Sequence, residues 1–227
     1  MSAVEYVLTL VLHVEKNDRP AQTDALETAA RAVLAILADE RSAGEGEWAE
    51  AMHAWQDARI RKVVRRARGI EWRRASALPG ITVTSALPAP AEDGPPPAEV
   101  RVFPPVPLDE VPKDLAKLQV TGTDLEDEDL PEAAPGLPVL WVNPTLEMST
   151  GKTMAQVGHA AHLTWWALPD TARKAWIADD FQLAVRTASP SQWKQLLKSG
   201  LPVVQDAGFT EVEPGSRTVV ADHPALH

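Results

Sequence analysis

Short apolar runs alternate with Ala-rich segments along most of the chain. Residues 7–14 and 139–142 are apolar, and each run leads into an Ala-rich helical pattern, at 20–37 and 152–168. Strands of four to eight residues that alternate with amphipathic helices are typical of α/β architecture. We therefore expect an α/β fold.

The order of the predicted elements recurs in the two halves. Alternating runs at 60–67 and 181–188 predict further strands, and short helices with Trp72 and Trp193 follow them. Each half then has a Leu-Pro pair before its last strand. Tryptophan and Leu-Pro at matching places favour an internal duplication over chance. We predict two small mixed-sheet domains with flanking helices, packed as a tandem pseudo-dimer.

Proline and acidic residues separate the halves. The prolines are Pro88, Pro90, Pro95, Pro96, Pro97, Pro104, Pro105, Pro107 and Pro112, and the acids are Asp124, Glu126, Asp127, Glu128, Asp129 and Glu132. Proline fixes φ and lacks a backbone donor, so it excludes helix and central strand here. Like charges repel, so we predict an extended acidic linker over 105–138, between domains at 1–104 and 139–227.

Composition excludes several classes of protein. The chain has no cysteine, so disulfides and thiolate metal sites are impossible and a reducing cytoplasm is the expected location. No apolar run approaches the roughly 18 residues that a membrane span needs. We also expect no signal peptide, because an acid stands where a basic start is required.

The net charge of -10 does not favour nucleic-acid binding, but charge distribution matters more than its sum. A basic segment in the first half contains Arg59, Arg61, Lys62, Arg65, Arg66, Arg68, Arg73 and Arg74. It is either the solvated face of a strand and helix or a polyanion-binding surface, and the pattern favours neither over the other.

The first segment that carries chemistry runs from 146 to 161. Gly151 and Lys152 stand between a predicted strand and a helix, where unpaired N–H groups and the lysine attract an anion. His159 and His162 follow on one helix face. The stretch 150–153 lacks the upstream glycine of a phosphate-binding loop, so that interpretation is rejected.

The second segment, 205–219, predicts a hairpin with a turn at Pro214 and Gly215. Together the two segments resemble the type II peptidyl-tRNA hydrolase family, and the resemblance runs from Val139 to Asp222. The residues that fit its opening pattern are Met148, Gly151, Lys152, Ala155, Gln156, His159, Ala160 and Ala161. Those that fit its closing pattern are Asp206, Ala207, Gly208, Thr210, Pro214, Gly215, Ser216 and Thr218. Two ordered, separated motifs are far more specific than either alone.

The resemblance implies hydrolysis of the ester that joins a peptide or N-acyl-aminoacyl group to tRNA, without a metal or organic cofactor. Asp206 would orient the water, as base or as acceptor, and Lys152 would stabilise the oxyanion or bind the terminal phosphate and ribose. The remaining implied catalytic residues are His159, Thr210 and Thr218. The implied substrate-binding residues are Gly151, Lys198, Gly208 and Ser216.

Several family positions have lost a basic or polar group. Glu147, Thr150 and Phe209 stand where the family has Lys or Arg, and 143–145 replace a strand end that carries Arg and Asp. Fewer phosphate contacts weaken tRNA binding. The alternative is therefore a catalytically inactive relative that acts as a binding or scaffolding protein.

The first half is interpreted as a degenerate copy of the same domain. Matching Ala21 with Ala155 puts Asp18 in the place of Lys152 and Ala25 in the place of His159. The copy would replace the second subunit of a dimer, which makes the chain a monomeric pseudo-dimer. Contacts with tRNA would then come from Arg59, Arg61, Lys62, Arg65 and Arg66.

Overall fold

The fold is described by a computed structural model over residues 4–86, 94–127, 130, 132–208 and 210–227. Residues Pro88, Pro90, Glu128, Asp129 and Phe209 lie outside the described residues.

The N-terminal half forms one mixed sheet. Its strands are β1 (Tyr6–His13), β2 (Lys62–Ala67), β3 (Ile81–Thr84), β4 (Glu99–Val102) and β5 (Val106–Pro107). The order is β2-β1-β4-β3, with β1 parallel to β2 and antiparallel to β4, and β5 pairs with the start of β1. The helices are α1 (Gln22–Ala38), α2 (Ala49–Gln56), α3 (Gly69–Ser76) and the short α4 (Lys113–Ala116).

The C-terminal half forms a second mixed sheet. Its strands are β6 (Val139–Val142), β7 (Ala184–Thr187), β8 (Val203–Gln205) and β9 (Arg217–Asp222), in the order β7-β6-β9-β8. Again the first two strands are parallel and the others antiparallel. The helices are α5 (Thr150–Ala167), α6 (Asp170–Ala178) and α7 (Pro190–Leu196). Ser149 is the N-cap residue of α5, and its Oγ accepts a hydrogen bond from the Lys152 N–H at 3.1 Å.

The two sheets share strand order and strand directions, which confirms the α/β class with two mixed sheets and is consistent with a tandem pseudo-dimer. Local details recur as well. The indole N–H of Trp55 donates to the carbonyl of Arg61, and that of Trp176 donates to the carbonyl of Gln182, six residues ahead in each case. Descent from a duplicated ancestor stays a prediction that these details support.

Counting from the helix starts gives a second match between the two halves. Lys152 is the third residue of α5, and the third residue of α1 is Asp24. Asp18 precedes α1 and lies outside any helix. Asp24 is buried and accepts a hydrogen bond from the Ala98 N–H at 2.7 Å. Whether Asp18 or Asp24 is matched with Lys152, the N-terminal half has an aspartate where the C-terminal half has this lysine.

Helices α1 and α5 pack against each other and join both halves into one apolar core. Helix α1 is buried on nearly every side, and Ala29, Ala32 and Val33 are fully buried in it. Gly158 of α5 lies at this contact, since a Cβ built there would be 3.1 Å from Cγ2 of Val33. The absent side chain allows the helices to approach closely.

The predicted linker is not uniformly extended. Strand β5 adds to the N-terminal sheet, α4 forms at 113–116, and Gln119 bridges to Arg66. Further on, the Asp127 carboxylate accepts hydrogen bonds from the N–H and the hydroxyl of Thr23. The segment therefore forms hydrogen bonds with the N-terminal half and is partly ordered, whereas like-charge repulsion had predicted an extended chain.

No helix in the part of the chain that the structure describes has the length and apolar character needed to cross a membrane.

We predict that Gly158→Leu lowers the free energy of unfolding by about 1–3 kcal/mol, because the new side chain overpacks the α1–α5 contact. Urea denaturation measures the loss. Adding Val33→Ala to this variant should recover part of it, since the smaller residue makes room. An unchanged unfolding midpoint in Gly158→Leu would contradict the close contact.

Candidate active site between the two domains

The cleft that contains the family motifs has a volume of about 460 Å³ and lies between the two halves. One wall is formed by α5 and by 204–211 after β8. The opposite wall comes from the N-terminal half, at 59–64, and from 120–121. The site of the C-terminal domain is therefore completed by the other half of the chain.

Lys152 and Asp206 form an ion pair in this cleft. The distance from Nζ of Lys152 to Oδ2 of Asp206 is 2.7 Å, and their side chains are 10% and 9% exposed. Nζ also donates to the hydroxyl of Thr210 at 3.1 Å. Three predicted catalytic side chains are thus in direct contact, although they lie up to 58 residues apart in sequence.

Gln156 connects the pair to the core and was not among the predicted site residues. Its Nε2 donates to Oδ2 of Asp206 at 2.9 Å, and its Oε1 accepts from the buried hydroxyl of Thr218 at 2.5 Å. Thr218 therefore positions Gln156 rather than facing substrate. The signal was available, because Gln156 follows Lys152 by four residues and so shares its helix face.

The loop after β8 holds Asp206 through its backbone. The Gly208 N–H donates to Oδ1 of Asp206 at 2.8 Å, and the Asp206 N–H donates to the carbonyl of Ser216 at 2.9 Å. Gly208 has φ of +77°, and a Cβ there would lie 2.4 Å from Pro214. Gly208 and Ser216 thus shape the loop around the carboxylate through their backbone atoms.

The start of α5 differs from the predicted anion site. The Gly151 N–H donates to the carbonyl of Thr123 at 3.4 Å, and the Thr153 N–H donates to the carbonyl of Ser149 at 2.9 Å. With the Lys152 N–H bound to the Ser149 hydroxyl, these amides already have protein partners. Gly151 lines the cleft, but its N–H is used to hold the preceding segment.

His159 lines the same cleft and contacts a lysine from the N-terminal half. Nδ1 of His159 and Nδ1 of His162 each lie 3.3 Å from Nζ of Lys62. Burial, and then the charge of Lys62, hold the pKa of both histidines well below the ordinary value. Both rings are therefore neutral around pH 7.

The sequence placed Lys62 in a basic segment that was expected to be exposed, but the structure buries this side chain. It is 7% exposed, and burial lowers its pKa well below the ordinary value. Arg65 donates to the carbonyls of Ala116 and Leu118, and Arg66 donates to the carbonyl of Thr121. Residues 116–121 thus cover much of the predicted tRNA-binding surface.

The remaining predicted contacts lie apart from one another. Arg59 is exposed at the cleft, and Arg61 lines it while it pairs with Glu5 at 2.8 Å. Lys198 is exposed beyond the end of α7 and does not line the cleft. Only Arg59 and Arg61 of the five predicted tRNA contacts have both accessibility and a place at the cleft.

Thr218→Val is expected to lower the free energy of unfolding by about 1–3 kcal/mol, because Oε1 of Gln156 loses its buried donor. Thermal or urea unfolding checks this. The matched control is Thr164→Val, where the lost hydroxyl donates at 2.8 Å to the carbonyl of Ala160. That carbonyl keeps its helical N–H donor, so the loss should be smaller. Equal losses in the two variants would contradict the role of Thr218.

The comparisons with known proteins concern the C-terminal half. A family model described as peptidyl-tRNA hydrolase PTH2 matches residues 138–227, which contain Lys152, Asp206 and the loop between β8 and β9. No curated protein matches the chain. The resemblance to the peptidyl-tRNA hydrolase family is thus confirmed as a family-model match of the C-terminal region, residues 138–227.

Proposed function

We propose that the cleft hydrolyses the ester bond between a peptide, or an N-acyl-aminoacyl group, and tRNA. The observation that carries the proposal is the contact of Lys152 with Asp206 and Thr210 inside a cleft of a family-matched domain. Hydrolysis of such an ester needs an oriented water, stabilisation of the tetrahedral oxyanion and departure of the ribose oxygen.

Lys152 has the capacity to stabilise the oxyanion. An ammonium has three donors, and two of them are used by Asp206 and Thr210. The third is available to the acyl oxygen, on which negative charge develops in the transition state. Because the lysine is held by two partners, its position does not have to be organised during the reaction.

Asp206 is suited to orient the attacking water. Oδ2 is engaged by Lys152 and Gln156, whereas Oδ1 accepts one backbone N–H from Gly208. A carboxylate oxygen accepts two hydrogen bonds, so Oδ1 has room for a water. The Thr210 hydroxyl accepts from Lys152 and keeps its own proton to donate to the ribose oxygen or the water.

The cleft lining fits an acyl group better than it fits a polyanion. Val63, Val64, Val120, Leu163 and Val204 all face the cleft. Apolar walls favour the peptide or acyl portion of the substrate. The phosphates of tRNA would then contact the rim, where Arg59 is exposed.

One observation favours the alternative of a binding protein without turnover. The amides at the start of α5 are bound by Thr123 and Ser149, and the hydroxyl of Thr150 accepts from the Leu125 N–H and donates to Gln22. The segment 120–125 thus occupies space beside the cleft. Under this alternative, a ligand binds and is released unchanged.

Lys152→Met and Asp206→Asn should each lower the rate of release of N-acetyl-amino acid from N-acetyl-aminoacyl-tRNA by at least about 100-fold, because each removes a group aligned with the reacting ester. Single-turnover assays measure this. Lys194→Met removes an exposed lysine of α7 and should retain the wild-type rate. Rates that are equal in the wild type and both cleft variants would contradict the assignment. Binding without release by the wild type would support the alternative.

Arg59→Gln should raise KM for a tRNA ester and leave its kcat unchanged, since the guanidinium contacts phosphate away from the reacting bond. The slope of log KM against log salt should fall by about 0.7–0.9 for one lost contact. The control is Arg73→Gln, which removes an exposed arginine of α3 remote from the cleft. Identical salt slopes in the two variants would exclude a phosphate contact by Arg59.

A further inference from the structure

Lys62 brings an amine of the N-terminal half into the site of the C-terminal half. Its Nζ lies 3.2 Å from the carbonyl of Ile60 and 3.3 Å from Nδ1 of both His159 and His162. It also lies 4.7 Å from the ring centroid of Trp55. None of these four partners is a carboxylate, so within the described residues the amine contacts a carbonyl, two imidazoles and an indole.

The hydrogen bonds of His162 determine which of its nitrogens carries the proton. Nε2 of His162 lies 3.4 Å from Oε1 of Gln56, and the indole N–H of Trp166 donates to the same oxygen at 3.1 Å. An amide oxygen only accepts, so Nε2 of His162 is the donor. Nδ1 of the neutral ring is then unprotonated and accepts from Lys62.

The number of hydrogen-bond donors on Lys62 determines the tautomer of His159 in the same way. In its ammonium form Lys62 has three donors: the carbonyl of Ile60 and Nδ1 of His162 accept two of them, and the third is left for Nδ1 of His159. Nδ1 of His159 is then unprotonated, and the proton of the neutral ring is on Nε2. His159 is half-buried and lines the cleft, and no hydrogen bond joins its Nε2 to a described residue.

We propose that Lys62 is a positioning residue that holds His159 in the tautomer protonated on Nε2, so that the cleft presents a neutral N–H donor to a carbonyl oxygen of the acyl group. The substrate class is therefore an acyl chain with an amide or second carbonyl beyond the scissile ester. This inference rests on the proposed function for its substrate, but the tautomer itself does not depend on turnover.

The spacing between Lys152 and His159 along α5 indicates that His159 would contact a carbonyl beyond the scissile ester. His159 follows Lys152 by seven residues, on the same helix face, and a helix rises about 1.5 Å per residue, which separates their backbones by about 10 Å. An extended peptide advances about 3.3–3.6 Å per residue. A carbonyl about three residues from the ester therefore lies opposite His159 when the ester is at Lys152.

Lys62 has no counterpart in the C-terminal half. Counting seven residues from the equivalent tryptophans Trp55 and Trp176 reaches Lys62 in one half and Leu183 in the other. Leu183 is buried and has no polar side-chain atom. A dimer of two identical C-terminal domains would present leucine here, so the donor is a contribution specific to the N-terminal half.

The proposal has a pH dependence with a defined sign. The ammonium form of Lys62 is needed, and its pKa is lowered by burial, so the effect should be lost as pH rises through that lowered pKa. The titratable groups that face it are His159 and His162, and both remain neutral because burial lowers their pKa. Lys152 lies further along α5, and Arg61 is paired with Glu5.

The test combines nitrogen NMR of the histidine tautomers with kinetics of the full chain. In the wild type, His159 should have its proton on Nε2. Lys62→Met keeps the length of the side chain but removes the donor, so Nε2 protonation of His159 should become incomplete. With N-acetyl-tripeptidyl-tRNA as the substrate, kcat/KM should fall by up to about 100-fold, the loss typical of a displaced reacting group. The wild-type decline at high pH should be absent from the variant.

Two further variants separate positioning from stability. His159→Ala should lower kcat/KM as much as the double variant with Lys62→Met does, because both groups act through one contact. Ile177→Ala, an exposed substitution on α6, should leave the tautomer and the rate unchanged. A His159 proton found on Nδ1 in the wild type, or a Lys62→Met protein with unchanged tautomer, would overturn the proposal. Absence of turnover in the wild type would contradict the proposed function. The NMR comparison of the His159 tautomer in the wild type and Lys62→Met would still test the positioning role of Lys62.

Discussion

The packing of α1 against α5 is the contact on which the rest of the structure depends. It joins the two halves into one apolar core and requires small residues where the helices meet, as at Gly158. Because α5 carries Lys152, Gln156 and His159, the same contact fixes the site relative to the N-terminal half. The cleft exists only because β2 of that half lies across α5. Fold stability and the geometry of the site therefore share one interface.

The corresponding region of the N-terminal half, beside α1, holds ion pairs instead of an open cleft. A cavity of about 110 Å³ lies beside α1 and is lined by Ala133, Ala134 and Leu137 of the connecting segment. Across it, Glu27 of α1 pairs with Arg186 at 2.8 Å, and Arg31 pairs with Asp180. Buried charges require partners, and these pairs link the halves where the C-terminal domain instead has an open cleft.

Local pattern predicted much of this architecture, and contact between distant segments explains what it missed. Alternation and motif order were enough for the two sheets and for Lys152 and Asp206, because each depends on spacing within a short segment. Lys62 was grouped with exposed cations, since its partners lie 97 and 100 residues away. A signal was present, because Lys62 and Val64 are alternate residues of β2 and therefore face the same buried side.

In a tandem chain, unlike in a symmetric dimer, the two halves can have different residues at matching positions of their interface. In a two-fold dimer the same residue occupies both sides of the interface, so a change that improves one cleft alters the other equally. Here the position held by Leu183 in one half is held by Lys62 in the other, and Asp24 stands where α5 has Lys152. An acid near the start of α1 and a donor that faces the C-terminal cleft are thus compatible within one chain. The exposed arginine at the rim of the cleft, Arg59, likewise belongs to the N-terminal half.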